Sequence, residues 1–457
     1  MKSHIYLFLS VLIFASCNKQ QKNEITVIGH LNSPGNEEIV LTSDYLTFKA
    51  PADSNGNFVL QFTFDQPRVY QLNNNLDLFL IPGDSLIINK EGEDYKFSGG
   101  QSALLSNYYP EWEKYWNKLT ASFDEEKYYS LEPDAFIKTI YDYIDSSKIP
   151  LDELSKKVTD INPEFVRLET ERLKYWMIID LLPYEYQMHK YYTGEDPVIN
   201  ESFHDYMKDV NLNDTSLLQL QNFKDFLYTY VYYKSGKDFK SSSVTPKDKF
   251  TGTDFTLDFI DSTFNNQNVI DYVAYTFMHE RTNLLAVNDK NLASFKEHCT
   301  NKNYIVQIEN TCKDLQSLMP GNQAPEFVLY DANDKEYKLS DYKGKNLLID
   351  VWGVYCGPCI REMPYLEKIE QDYKDKNIEF ICACVEPDRD LWLKRMKELN
   401  VKGTQLLIKG GRDAQFRKDY KIIWTPTYIL IDKEGKFIDA RASRPTENLR
   451  ELLDKIL

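Results

Sequence analysis

From Pro320 to the C-terminus, short apolar runs alternate with amphipathic stretches, and this order constrains the fold more than any other feature of the chain. Apolar runs at 326–330 and 346–352 bracket Leu339-Ser-Asp-Tyr-Lys-Gly-Lys345. A helical stretch opens near Gly357, and runs at 378–385 and 405–408 alternate with helical stretches at 390–399 and 414–420. Closing strands at 427–431 and 437–440 precede a last helix. The alternation predicts a central sheet with helices on both faces.

The residues before Pro320 have a different character. Apolar–polar alternation at 24–30, 39–42, 57–64 and 76–81, separated by turns at Ser33-Pro-Gly, Asn55-Gly56 and Pro82-Gly-Asp, predicts a small all-β sandwich over 24–98. Residues 101–318 read as helical. Asn162-Pro163-Glu164 is an N-cap followed by proline at the first helical position, with Phe165, Leu168, Leu173 and Trp176 on related faces. Tyrosine is dense there, as at Tyr108, Tyr109, Tyr228 and Tyr232, and is read as helix-to-helix core. At 457 residues the chain is too long for one core. The expected organisation is therefore multidomain: a leader over 1–16, a tether over 17–23, domains at 24–98 and 101–318, and an α/β domain at 320–457.

Charge separates the parts. Lys and Arg number 54 against 70 Asp and Glu, a net charge of −16. Residues 320–457 hold 24 basic and 24 acidic side chains, so the whole excess lies in the first 319 residues. Phosphate binding needs clustered cations, so no nucleic-acid partner is expected.

The chemistry concentrates at Cys356-Gly357-Pro358-Cys359. Zinc sites also use Cys-x-x-Cys, but they need a second ligand pair, and the sequence has no other Cys-x-x-Cys and no His-x-x-x-His. His189, His204, His279 and His298 are scattered, so no metal and no cofactor are expected. The motif follows the apolar strand Leu347-Leu-Ile-Asp-Val-Trp352 and opens a helix. Free N–H groups and the positive end of the helix dipole stabilise thiolate at Cys356, the form that attacks disulfides. Cys359, one turn on, is placed to attack the resulting mixed disulfide.

Five motifs in order carry a family resemblance: Ala324-Pro-Glu-Phe327, Leu339 to Lys345, Val351-Trp-Gly-Val-Tyr-Cys-Gly-Pro-Cys359, Arg361-Glu-Met-Pro364, and Trp424-Thr-Pro-Thr-Tyr-Ile-Leu-Ile-Asp432. Together they resemble the TlpA/ResA/CcmG group of thioredoxin-like proteins, over about 320–457. The resemblance implies a thioredoxin-like fold, with Cys356 as exposed nucleophile and Cys359 as resolving thiol. Pro426, after Thr425, would be the cis-proline facing them, and Pro364 a kink in the following helix. Trp352, Gly357 and Pro358 would support the site. Asp350 stands six residues before Cys356, where thioredoxin carries its buried acid, and would accept the proton of Cys359. Tyr355 replaces the more usual Trp, keeping an aromatic platform beside Cys356. Glu386 loosely matches a position where related proteins place a functional acid, and a solvated loop carboxylate is an equal reading. The 24–98 region is similar to the N-terminal domain of unknown function that precedes many TlpA-like lipoproteins.

The first residues read as an export signal. Lys2 precedes a ten-residue apolar run at 5–14 that is too short to span a bilayer. Ala15-Ser16-Cys17 resembles a bacterial lipoprotein box, which implies lipid on Cys17 and attachment to a membrane through that lipid alone. No acidic run follows Cys17, which favours a periplasmic face over surface display. An ordinary cleavage site or a short anchor is the alternative. In an exported chain Cys299 and Cys312 could pair, although two inert thiols are the preferred reading. Cys382 and Cys384 share one face of a strand and are read as core thiols. The resulting expectation is an envelope thiol–disulfide oxidoreductase that reduces partner-protein disulfides and is recharged by an unknown envelope electron donor. The alternative is a binding or scaffold lipoprotein whose front part captures a partner or ligand. A peroxiredoxin is a weaker third, because Cys356 lacks the Pro-x-x-x-Thr context.

Overall fold

A computed structural model describes residues 23–31, 38–43, 46–73, 76–91, 94–241 and 250–457. The expected leader, Cys17 and the Ser33-Pro-Gly turn lie outside the described residues. The chain divides into two compact units between Asp238 and Phe239, inside the stretch expected to be helical.

The first unit opens with eight strands: β1 (Glu24–His30), β2 (Glu38–Ser43), β3 (Leu46–Pro51), β4 (Asn57–Thr63), β5 (Arg68–Leu72), β6 (Leu76–Leu80), β7 (Ser85–Glu91) and β8 (Asp94–Gly99). They form two four-stranded sheets, ordered β4-β1-β7-β8 and β3-β2-β5-β6. Side chains alternate across a strand, so Phe58, Leu60 and Phe62 of β4 face inward with Ile25 and Val27 of β1. They share one core with Leu41, Tyr70 and Leu78 of the other sheet. Gly29 pairs with Phe58 across the β1–β4 ladder, and a Cβ at Gly29 would come within 2.1 Å of the Phe58 ring. Any larger residue there would force the buried Phe58 ring to move. Helices follow, including Pro133–Lys157 and Pro163–Ile178. The second begins where its capping residues place it, with the Asn162 side chain accepting from the Glu164 N–H at 2.9 Å. Tyr108 and Tyr109 are buried against Phe165 as core, whereas Tyr232 is exposed.

In the second unit, helices Thr253–Thr263, Gln267–Asn283, Asp289–His298 and Lys302–Asp314 precede a thioredoxin-like α/β domain. Its strands are β9 (Val328–Tyr330), β10 (Glu336–Lys338), β11 (Asn346–Trp352), β12 (Ile378–Cys384), β13 (Thr404–Leu407), β14 (Thr427–Ile431) and β15 (Phe437–Ala442). They form one sheet ordered β10-β9-β13-β12-β11-β14-β15. Strand β11 lies parallel to β12 and antiparallel to β14, and all seven of its residues are buried. A strand covered on both faces reads as a continuous apolar run, as 346–352 does. Leu347, Ile349 and Val351 point into one core with Leu329, Ile381 and Ile429. On the opposite face Leu348 meets Leu366 and Ile369 of the helix Gly357–Asp372. Trp352 joins Cys359, Cys384 and Trp392.

The helical segment contributes to the first of these cores. Leu285, Leu315 and Leu318 are buried among the sheet residues. Each such side chain contributes about 1.5–3 kcal/mol by leaving water.

Candidate active site

Strand β11 ends at Trp352, and the chain turns through Gly353 to Cys356, whose N–H donates to the Gly353 carbonyl at 3.0 Å. Cys356 caps the helix Gly357–Asp372, with Gly357 and Pro358 in its first turn. Proline is tolerated there because first-turn N–H groups have no partner within the helix. The Cys359 N–H donates to the Cys356 sulfur at 3.1 Å, so a backbone donor already points at the atom that carries charge in the thiolate. The two cysteines are joined as a disulfide, with Cα atoms 5.2 Å apart. They are not equivalent. Cys356 is half-buried, whereas Cys359 is 1% exposed and packs against Trp352, Val354, Cys384 and Trp392. The helix continues through Pro364, which is exposed.

Beside Cys356 stands Tyr355, 77% exposed. The Thr425–Pro426 peptide bond is cis, and Pro426 is buried while Thr425 is half-exposed. A Cβ on Gly353 would lie 3.8 Å from both the Cys356 Cβ and the Thr425 Oγ1. The Thr425–Pro426 turn and the redox pair therefore flank the same small space.

Asp350, 2% exposed, lies two residues before Trp352 on the same face of β11. It pairs in register with Cys382 on β12 and Tyr428 on β14. Its Oδ1 is buried without a hydrogen-bond partner. Burial, followed by the repulsion of Glu362, pushes its pKa up to about 7. A carboxyl of that strength takes and returns a proton near neutral pH.

Glu362 was not singled out from the sequence. It is 6% exposed, one turn beyond Cys359, and accepts from the Thr446 N–H at 3.1 Å and the Thr446 hydroxyl at 2.7 Å. Its i+3 spacing from Cys359 places both on one helix face, the only signal the sequence carries for it. Glu386 is half-buried after β12, where its carboxylate accepts from the Asp388 N–H at 3.0 Å. Its charge, after burial, helps push the Cys384 thiol up to about 12. Cys382 is likewise raised, by burial and then Asp350. Cys299 and Cys312 are free thiols, the first pushed up to about 12 by burial.

The Redoxin family model matches residues 319–453. A thiol-disulfide oxidoreductase ResA of Bacillus thuringiensis subsp. konkukian is 37% identical over 138 residues, covering 30% of this chain and 78% of that relative. The chain belongs to the TlpA/ResA/CcmG-like thiol-disulfide oxidoreductases. The ResA of Bacillus subtilis is 32% identical over 134 residues, covering 29% of this chain and 73% of that relative. The thioredoxin domain of a thiol-disulfide oxidoreductase from Bacteroides vulgatus is 29% identical, covering 31% of this chain and 99% of that structure, with a TM-score of 0.29. As a TlpA/ResA/CcmG-like protein the chain is a thioredoxin-like thiol–disulfide oxidoreductase, and the family match lies in its C-terminal third.

Proposed function

We propose that this chain reduces disulfides of partner proteins in the cell envelope through Cys356 and Cys359. The Cys356 thiolate attacks one sulfur of a partner disulfide, and the other sulfur leaves as thiolate. Cys359 gives its proton to Asp350 and attacks Cys356, forming the Cys356–Cys359 disulfide and releasing the partner as a dithiol. Two electrons pass to the partner, and an envelope dithiol donor returns them to the pair. The observation that carries this reading is the inequality of the two sulfurs. One is reachable at a helix N-terminus, and the other is sealed from solvent among Trp352, Val354, Cys384 and Trp392.

Supporting roles follow from position. Trp352 packs on Cys359, Tyr355 and Thr425 border the entry, and Pro426 shapes the turn facing the pair. Gly357 and Pro358 favour reduction, as in thioredoxin at about −270 mV compared with about −120 mV for an oxidant of this fold. Glu386 remains a proposed supporting acid, with its carboxylate engaged in its own loop. The proposed sandwich and redox domains are 24–98 and 320–457, and the helical stretch 101–318 between them is shared by the two units. A leader over 1–16 precedes a tether from a lipid-bearing Cys17 that holds the chain at a periplasmic membrane face.

Insulin reduction by the full chain, recharged with a small dithiol, tests the activity. Turnover is expected from the wild type and none from Cys356→Ser. Turnover that survives Cys356→Ser would overturn the reading. A redox titration tests direction, and a midpoint well above the glutathione poise would reverse it.

A further inference from the structure

Arg441 is a buried cation, 8% exposed, on β15. Its recorded side-chain bonds all run to backbone carbonyls. Nε donates to the Asn283 carbonyl at 3.2 Å and Nη1 to that of Ala440 at 2.6 Å. Nη2 donates to the carbonyls of Tyr420 and Lys421, at 3.2 and 2.7 Å. Asn283 is the last residue of the helix Gln267–Asn283, and Tyr420 and Lys421 follow the helix Gln415–Asp419. Helix ends leave carbonyls unsatisfied, and a cation suits their negative partial charge. One guanidinium therefore caps two helix ends that lie about 140 residues apart in the sequence.

Both ends are built alike. Just beyond each helix a non-glycine residue takes a left-handed conformation, Leu285 at φ 52° and Lys421 at φ 49°. The Ala286 N–H then bonds back to the Arg281 carbonyl, and the Ile422 N–H to that of Arg417, both closing the last turn. Such backbone is sparsely populated without glycine and persists where the surroundings enforce it. Leu285, Tyr420 and Ile422 are buried in one cluster with the sheet. From Lys421 the chain has only Ile422, Ile423 and Trp424 before it reaches Thr425 and Pro426 beside Cys356.

We propose that Arg441 is a positioning residue for the Thr425–Pro426 turn, holding the segment that leads to it against the end of helix Gln267–Asn283. On this account the helices of the second unit that precede residue 320 are a built part of the redox module, and they set how a partner disulfide is received. The proposal rests on the partner-reducing reading for its kinetic arm only.

The test uses the full chain carrying Arg441→Met, with Arg441→Lys as the milder change. For folded Arg441→Met, the KM for insulin is expected to rise about tenfold, the equivalent of about 1.4 kcal/mol of lost docking energy. The kcat should stay within about twofold, and the pH profile of Cys356 alkylation should not move. Unchanged KM, or a loss confined to kcat with a shifted alkylation profile, overturns the proposal. If Arg441→Met fails to fold, amide exchange of Arg441→Lys decides. Amides of Leu285 and Ala286 and those of Tyr420 and Ile422 should lose protection together. Loss on one side alone, or on neither, overturns it. Wild-type chain that does not reduce insulin removes the partner-reducing reading, while the exchange arm still judges the linkage.

Discussion

Asp350 on β11 and Glu362 on the helix that Cys356 opens are two buried carboxylates, and the repulsion of Glu362 adds to burial in pushing the Asp350 pKa up to about 7. The arrangement is asymmetric. Glu362 has two donors from Thr446, whereas the Asp350 Oδ1 has none. A buried carboxyl oxygen without a donor is better off neutral. Asp350 is thereby left as the group whose proton can move.

Stability should therefore fall as pH rises. Asp350 has a folded pKa above its unfolded value, so the folded state binds more protons between about pH 4 and pH 7. Its stabilising effect is fullest below the unfolded pKa and is lost as pH climbs through about 7. Between pH 5 and pH 8 this group should remove on the order of 2–3 kcal/mol from the second unit. Urea melts of wild type and Asp350→Asn at both values check this. The variant should be clearly less sensitive to pH, and equal slopes would falsify the assignment.

The kinetic counterpart concerns the second step. Cys359→Ser should trap partner proteins on Cys356 as mixed disulfides, visible on non-reducing gels. Asp350→Asn should slow release of the partner by about 100-fold at pH 7, the scale of a lost proton acceptor. The deficit should narrow near pH 9, where hydroxide can take the Cys359 proton. A deficit that stays constant with pH would count against Asp350 as acceptor.

Leu285 lies outside the Redoxin match yet inside the core of the sheet. Leu285→Ala should cost about 2–5 kcal/mol, the range for a truncated buried leucine. Tryptophan fluorescence during urea unfolding reads this out. A change below about 0.5 kcal/mol, the size of an ordinary surface substitution, would show the contact to be dispensable.

Lipid attachment is checked separately. Cys17→Ala should move the chain from the detergent phase to the aqueous phase on phase separation. Partition that persists without Cys17 would point to an anchor of another kind.

The C-terminal third was legible because its signals are local. A buried strand ending in Cys-x-x-Cys at a helix start specifies both a fold and a reactive sulfur, whereas Asp350 is singled out through the resemblance, as the position where thioredoxin carries its buried acid. Glu362 was not legible. Its proximity to Asp350 depends on how the helix lies on β11, and chain order alone does not carry that. The helical segment was legible as helix but not in its allegiance. An N-cap such as Asn162 is written in a few residues, whereas the sharing of Leu285 with a sheet that begins more than 40 residues later is not.

By itself, then, the sequence determined the Cys356–Cys359 pair, the strand and helix that present it, and the charge contrast between the two parts of the chain. These rest on periodicity, spacing and composition, which are properties of neighbours along the chain. Tertiary structure alone decided which carboxylate lacks donors, and that one guanidinium joins Asn283 to Lys421. Burial and long-range hydrogen bonds depend on what packs from elsewhere, and only the folded chain brings those groups together.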